Sequence, residues 1–515
     1  MKKIIEPNWV IIFWMIMDLS NVFWILAISI LFTPIRSTEY HGIHIEQKPI
    51  HEVSSKFLSV CIDSSTLTHY FKYLDFNSKP FRTLTKGLNS LQKEPSMFLR
   101  FGGSEADNLV FNDTSKLDKV PEFLGDPRDD YNIYPFNFTT FEKLYNFTSS
   151  MSWRLIFDLN SLIRNKTDGA YDPRNAIKFI EALSKHGYSI DYELGNEPDL
   201  YPTHRNTTIP PEQLAADFAA FKEVLIHMTH GKSKLFGPDM ATLGRYGYFH
   251  KFLSNIKQGS LDAITYHHYY SASTNVTVKD FVSIEYLDKF LAYTQEAADI
   301  VKESVTMFQS PPVFIGETSS TYDGGNPEIG QSFAASFLWL DKLGLAAQRG
   351  IQSVMRQALK GGSYSLMDKD DIPCIDYWVT VLHKQLVGTK VLKLTGFLEP
   401  GRSLRAYAHC VNVNNQRGYV ANETIVLFVL NMSPSEDAKV VLTNLPLTNS
   451  VEADQFLLTS ANGELDSTQV KMNGQILEML PGLPELIAKK VKSPFILPPL
   501  SYGFYVINNS GVDCS

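Results

Sequence analysis

Cysteine is scarce: the 515 residues contain four, Cys61, Cys374, Cys410 and Cys514. That is too few for a disulfide-built scaffold and enough for one or two bridges in an oxidising compartment. Positive charge is also in short supply, with 47 Lys and Arg against 55 Asp and Glu and a net charge of −8. No global basic field exists to hold nucleic acid or a densely sulfated polymer, so any site for a polyanion has to be local. Internal repeats and long low-complexity tracts are absent. With 44% hydrophobic and 20% charged residues, the chain has the balance of a globular protein with a large core.

What is present begins at the N-terminus. Lys2 and Lys3 precede an apolar stretch from Trp9 to Phe32, broken by Asp18 and Asn21. Residues 1–37 therefore read as a secretory signal, long enough to remain as a signal anchor in a membrane. Nine Asn-x-Ser/Thr sequons follow, at Asn112, Asn137, Asn146, Asn165, Asn206, Asn275, Asn422, Asn431 and Asn508. Together they support passage through the secretory route and predict a secreted or lysosomal glycoprotein.

Short apolar runs recur with room for a helix between them. They are Leu58 to Ile62, Met97 to Phe101, Leu155 to Asp158, Tyr192 to Leu194, Leu235 to Gly237, Ala263 to Tyr266, Val313 to Ile315 and Ser353 to Met355. Helical periodicity fills several gaps, at Arg174 to Lys185, Glu212 to Met228, Ile284 to Glu303 and Gln331 to Leu345. Eight alternations predict an α/β fold of the (β/α)8 TIM-barrel type. Past about Val391 the pattern turns to β-rich runs, at Thr424 to Leu430, Lys439 to Leu442, Gln455 to Leu458 and Ser501 to Ile507. Those runs predict a C-terminal β-sandwich. The Asp- and Pro-containing stretch from Asn112 to Phe136 reads as an exposed loop.

Most of the eight runs end in polar residues: Asp63, Ser104, Asn160, Asn196 with Glu197, Asp239, His267 with Tyr269, Glu317 and Gln357. A barrel collects such strand ends at one mouth. Glu197 and Glu317, on the fourth and seventh predicted strands, are the pair that glycoside cleavage needs. One carboxyl protonates the leaving oxygen while the other attacks the anomeric carbon. His267 and His268 are adjacent on a strand and so face opposite ways, with no third ligand at useful spacing. Neither a metal nor an organic cofactor is expected.

These residues resemble the heparanase family of retaining endo-β-glucuronidases. The likeness runs from about Phe57 to the end and rests on Arg100-Phe-Gly-Gly103, Glu193-Leu-Gly-Asn-Glu-Pro198, Gly237-Pro-Asp239, His267-His-Tyr-Tyr270, Gly316-Glu-Thr-Ser-Ser320, Trp339 to Leu345, Met355-Arg-Gln357 and Leu386 to Val391. It implies a catalytic barrel over 57–390 and a sandwich over 391–515, joined by a strand from 38–56. Glu197 would be the acid/base and Glu317 the nucleophile. Substrate contacts implied by the resemblance are Asp63, Ser104, Asn196, Arg245, His267, Tyr269, Gly324, Gly325, Gln357, Gly362 and Tyr364. A disulfide between Cys410 and Cys514 is implied in the same way.

Three departures bear on the substrate. The Asn112 to Phe136 stretch is much shorter than the segment that vertebrate heparanases excise, so an active single chain is expected. The loop after His267-His-Tyr-Tyr270 reads Ser271-Ala-Ser-Thr274, without arginine, and the run after Pro198 delays its basic residue to Arg205. Fewer local cations weaken selection for sulfate. The expectation is therefore an endo-acting enzyme on heparan sulfate, with hyaluronan, the substrate of leech-type hyaluronidases, as the alternative. A third reading, noncatalytic heparan sulfate binding, would favour a chain lacking one of the two carboxylates, and both are here. The expected partner is a glycosaminoglycan rather than nucleic acid, and the chain is expected to be a monomer.

Overall fold

The computed structural model describes residues 37–89, 95–113, 133–244, 247–305, 310–414, 417–445, 451–479 and 482–515. The proposed signal or anchor lies outside them. Among the described residues, no helix is long and apolar enough to cross a membrane.

Eight parallel strands form the barrel: β1 (Leu58–Asp63), β2 (Phe98–Gly102), β3 (Arg154–Leu159), β4 (Asp191–Leu194), β5 (Phe236–Met240), β6 (Ala263–His268), β7 (Val313–Thr318) and β8 (Ser353–Arg356). Neighbours in chain order pair except β4 with β5, and β8 returns to pair with β1. The seam between β4 and β5 is closed by the Tyr192 amide donating to the Lys234 carbonyl at 2.9 Å, with Tyr192 bridged to Leu235. All eight apolar runs thus become barrel strands, because strands covered on both sides have to be apolar along their length.

The stretch read as an exposed loop differs at its flanks. Leu109–Phe111 and Tyr134–Phe136 pair as two short parallel strands, while residues 114–132 fall outside the described set. Phe111 and Phe136 are buried against each other and against Phe179. The short runs Leu-Val-Phe and Tyr-Pro-Phe carry too little periodicity to signal a strand.

A nine-stranded, mainly antiparallel sheet follows the barrel, built around Leu404–Val411, Ile425–Asn431, Glu452–Ser460 and Ser501–Ile507. A three-stranded sheet packs on it, with Thr38–Ile43 parallel to Asp437–Leu442. The strand Ile425–Asn431 serves two cores by simple alternation. Ile425, Leu427 and Val429 face the three-stranded sheet. Val426, Phe428 and Leu430 belong to the larger core shared with the barrel helices. Each such side chain contributes roughly 1.5–3 kcal/mol by leaving water. Cys410 and Cys514 are joined by a disulfide, and Cys61 and Cys374 are buried free thiols.

Helix Phe333–Gln348 lies between the barrel strands and the large sheet, and every one of its residues is buried. It carries Asp341, which accepts from the Tyr407 hydroxyl at 2.6 Å, and Gly344, where a Cβ would stand 2.2 Å from the Tyr407 ring.

Candidate active site

The barrel interior is layered by the two-residue period of its strands. Cys61, Phe98, Ile156, Phe236, Ala263, Phe314 and Met355 form an apolar floor. Further toward the C-terminal ends, Phe98 gives way to Arg100 and Ile156 to Asp158. Glu193, Asp239, His267 and Glu317 complete a buried polar ring.

Arg100 organises this ring from a fully buried position. Its Nε donates to Glu193 Oε2 at 2.7 Å, Nη1 to Glu317 Oε2 at 2.8 Å and Nη2 to Asn196 Oδ1 at 2.9 Å. Asp239 and Asp158 stand 3.8 and 3.9 Å from Nη2. One guanidinium cannot neutralise four carboxylates. Burial pushes the Glu193 carboxyl up to about 8, against the opposing pull of Arg100, and pushes Asp158 well above the usual range. Two of the ring carboxyls are thus held toward their neutral forms, and Arg100 also reaches the carboxylate nearest the cleft.

That carboxylate is Glu317. Pairing of β6 with β7 shifts by one residue between Tyr266 and His267, so that His267 lies opposite Glu317 and Gly316 is passed over. The irregularity re-aims Glu317 inward. Gly316 is required by close packing, because a Cβ there would meet Asp239 Oδ1 at 2.5 Å. Glu317 accepts from Arg100 on one oxygen and from the Tyr269 hydroxyl on the other, at 2.5 Å. Its side chain is 11% exposed.

Glu197 is held by its backbone. It adopts the left-handed conformation, φ 53° and ψ 56°, between Asn196 and a 3-10 turn that begins at Pro198. Its amide donates to the Asp239 carbonyl at 3.0 Å. Asp107 secures the preceding residue by accepting from the Asn196 amide at 3.0 Å, from the Tyr201 hydroxyl at 2.8 Å and from the Ser161 amide at 2.9 Å. Asp199 secures the following turn by accepting from the amides of Ala241 and Thr242. The Glu197 side chain is 18% exposed.

His267 lies behind Glu197, fully buried. Nδ1 is 2.9 Å from Glu197 Oε1 and Nε2 is 3.3 Å from Asp239 Oδ1. Burial pulls the imidazole pKa down, but the hydrogen bonds to Asp239 and Glu197 prevail and hold it at about 10. Protonated on both nitrogens, as that direction favours, the ring donates to both carboxylates. Both ring nitrogens are engaged and the side chain is 1% exposed, which places His267 against Glu197 and Asp239. His268 points the other way, onto Phe290 and Tyr293.

Oxygen or nitrogen atoms of Glu197, His267 and Glu317 lie within 4.8 Å of one another. That spacing is also one a metal can use. However, a metal ligand needs a free imidazole lone pair, and His267 spends both nitrogens on carboxylates. The arrangement suits proton transfer and nucleophilic attack between two carboxyl groups.

The remaining predicted residues form the walls. Gln357 donates to Asp63 Oδ2 at 2.9 Å, and its amide donates to the Thr318 carbonyl. The turns at Gly324–Gly325 and Gly361–Gly362 are all left-handed and meet through the Ser363 amide and the Gly324 carbonyl at 2.6 Å. Tyr364 packs beneath them, 6.3 Å from the Tyr269 ring. Ser104 is exposed at the rim, where its carbonyl accepts from Arg205. Arg245 lies outside the described residues.

Among the sequons, Asn146, Asn165, Asn206, Asn275, Asn422 and Asn508 are exposed, and Asn137 caps helix Phe138–Ser150. Asn112 and Asn431 are buried. Asn112 lies beneath the short paired strands. The Asn431 amide nitrogen is enclosed and donates to the carbonyls of Glu436, Leu497 and Pro498.

The sequence analysis assigned no role to Arg100, Asp158, Glu193, Asp107 or Tyr201, although Arg100 and Glu193 stand inside segments that carry the resemblance. A signal existed for two of them: Arg100 and Glu193 are charges set inside otherwise apolar strands, and such a charge has to find a buried partner.

Comparison with known proteins agrees with this geometry. Residues 71–344 match the profile described as glycosyl hydrolase family 79, N-terminal domain. The chain is 34% identical to heparanase of Bos taurus, over 90% of this chain and 91% of that protein. It is 30% identical to hyaluronoglucuronidase of Hirudo nipponia, over 91% of this chain and 97% of that protein. Among solved structures, a 4-O-alpha-L-rhamnosyl-beta-D-glucuronidase from Fusarium oxysporum shares the fold, with a TM-score of 0.62 at 14% identity. That match covers 90% of this chain and all of the other.

Proposed function

Since the chain belongs to glycosyl hydrolase family 79 and is a glycoside hydrolase, we propose that it cleaves heparan sulfate as a retaining endo-β-glucuronidase. The observation that carries this reading is the separation of Glu197 and Glu317. Oxygens of the two lie within 4.8 Å, in the range where a carboxylate attacks the sugar directly; inverting enzymes need a wider gap to admit water.

Glu317 attacks the anomeric carbon as the glycosidic bond breaks, and Glu197 delivers its proton to the departing oxygen. Water then enters, Glu197 takes a proton from it, and the hydroxide oxygen displaces Glu317 from the anomeric carbon. Arg100 and Tyr269 hold Glu317 in line. Asp63, Asn196, Gln357, Tyr364 and the glycine turns at 324–325 and 362 wall the bound sugar. Catalysis is assigned to 57–390, with 391–515 and the strand within 38–56 as the accompanying sandwich. The protein is read as a monomeric, secreted or lysosomal glycoprotein that needs no excision to act, with residues 1–37 as its signal or anchor.

Hyaluronan is the second reading. The net charge of −8 and the arginine-free loop Ser271 to Thr274 favour an unsulfated polymer, and the leech relative is named for that activity. Purified single chain and Glu317→Gln, each incubated with size-defined heparan sulfate and hyaluronan and followed by gel filtration, separate the two. Heparan sulfate shortened by the wild type alone supports the proposal. Shortening of hyaluronan alone moves the substrate, and cleavage of neither leaves an unprocessed precursor or a binding protein.

A further inference from the structure

The mechanism leaves several buried basic side chains unused, among them Lys342. Lys342, on helix Phe333–Gln348, is 1% exposed. Its Nζ donates to Thr318 Oγ1 at 2.6 Å and to the Ser319 carbonyl at 2.8 Å, and reaches the His268 carbonyl at 3.5 Å. The Tyr270 ring lies 4.7 Å from the same nitrogen and Phe290 5.4 Å. Thr318 Oγ1 itself donates to the His268 carbonyl.

The hydrogen bonds fall on two strand ends only. Thr318 and Ser319 directly follow Glu317 on β7, and His268 directly precedes Tyr269 on β6. Lys342 therefore ties together the two backbones that bear the 2.5 Å hydrogen bond between Tyr269 and Glu317. The irregular register that aims Glu317 leaves this pairing without a regular ladder on its neighbour, since the β7–β8 register also shifts between Ile315 and Thr318. The β6–β7 pairing itself resumes past the shift, with His268 opposite Thr318 and the Tyr270 amide donating to the Ser320 carbonyl at 2.9 Å, and Lys342 braces it from the helix side. Lys342 touches neither the cleft nor Glu317.

We infer that Lys342 is a positioning residue, which sets the line of attack of Glu317 by fixing the ends of β6 and β7 from the helix behind them. The inference rests on the proposed role of Glu317 as nucleophile. Its neighbour Asp341 bonds Tyr407 of the large sheet, so the same helix turn links the sandwich to the nucleophile's strand.

The test uses a glucuronate-configured cyclophellitol epoxide, which a nucleophilic carboxylate opens. A C–O ester bond forms, the epoxide C–O bond breaks, and the acid/base group protonates the released oxygen. Wild type, Glu317→Gln, Lys342→Met and Lys342→Arg are compared for labelling rate, final labelled fraction, kcat and KM. Lys342→Met is expected to label to the same final fraction as wild type, with rate and kcat down about a hundredfold, as small misplacements of reacting groups cost. KM should change little, and Lys342→Arg should recover part of the rate.

A final labelled fraction that falls in step with activity, at an unchanged rate, would make Lys342 structural only and overturn the inference. Should Lys342→Met fail to fold, Thr318→Val removes the hydroxyl acceptor instead, and a wild-type labelling rate there overturns it equally. Failure of the wild type to label, or labelling of Glu317→Gln at the wild-type rate, sinks the functional reading itself and the inference with it.

Discussion

Glu197 and Glu317 stand within 4.8 Å of each other, yet the two sides of the mouth hold them by different means. Glu317 is held through its side chain, both oxygens taken by donors from β2 and from the end of β6. Glu197 is held through its backbone, in a left-handed conformation fixed by Asp107, Asp199 and Asp239, with one side-chain contact to the buried His267 ring. A nucleophile gains from a fixed, ionised carboxylate, whereas a group that gives and takes a proton needs one oxygen free toward the cleft. The two sides should therefore break in different ways.

Direct removal has the largest expected effect. Glu317→Gln should lower turnover by about 10⁴-fold or more, for natural and activated substrates alike. Glu197→Gln should lose roughly 10²–10⁴-fold on the natural polymer. With an activated aryl glucuronide it should keep its first step, and azide should restore the second. Steady-state assays with both substrates check the contrast, and equal losses on the two would break it.

Arg100→Met comes next. It removes the donor to Glu317 Oε2 and leaves Glu193, Asp158 and Asp239 without their shared cation. A fall in kcat of about 10²–10³-fold is expected, as for loss of one preorganised donor. A lower melting temperature should accompany it. Arg100→Lys keeps the charge but loses the three-way fork, and should recover stability more than rate.

Two groups in the ring give stability a pH dependence of known sign. Glu193 is raised to about 8 in the folded protein, so the native state holds a proton that the unfolded chain releases near 4.5. Its contribution is full below about pH 4.5 and is lost as pH rises through 8. His267, raised from 6.5 to about 10, contributes fully below about 6.5 and loses that contribution on the way to 10. The melting-temperature advantage of wild type over Glu193→Gln should shrink between pH 5 and 8, and that over His267→Gln between pH 7 and 10. Calorimetry across that range reads both, and pH-independent differences would place the protons elsewhere. The sign suits an acidic compartment.

The smallest effect on catalysis is expected far from the mouth. Cys514→Ser opens a bridge spanning 104 residues of sequence, and should cost about 2–5 kcal/mol of stability while leaving kcat per folded molecule unchanged. Chemical denaturation alongside active-site labelling tests it.

The barrel was legible because burial on both sides imposes a pattern. Each strand is a short apolar run, and every run read from the sequence is a strand within three residues at either end. Helix Arg174–Lys185 matches end for end. Glu197 and Glu317 were legible because reactive side chains gather at strand ends. What lay beneath them was not, since Arg100, Asp158 and Glu193 owe their meaning to one another across three strands, and no local spacing records that. His267 was visible as a site residue, but its direction was not. The register shift that turns it toward Glu197 arises from pairing with β7. The flanks of the 112–136 stretch escaped for a related reason: two three-residue strands are specified by the aromatic cluster they enter.

The strand Ile425–Asn431 has a consequence for how such a molecule can change over time. Its odd and even positions answer to two separate cores, one belonging to the sandwich alone and one shared with the barrel. A substitution tolerated by one core shifts a backbone that the other core also reads. The two halves are therefore inherited as a pair: a graft that exchanges the barrel between relatives would have to bring its own sandwich with it.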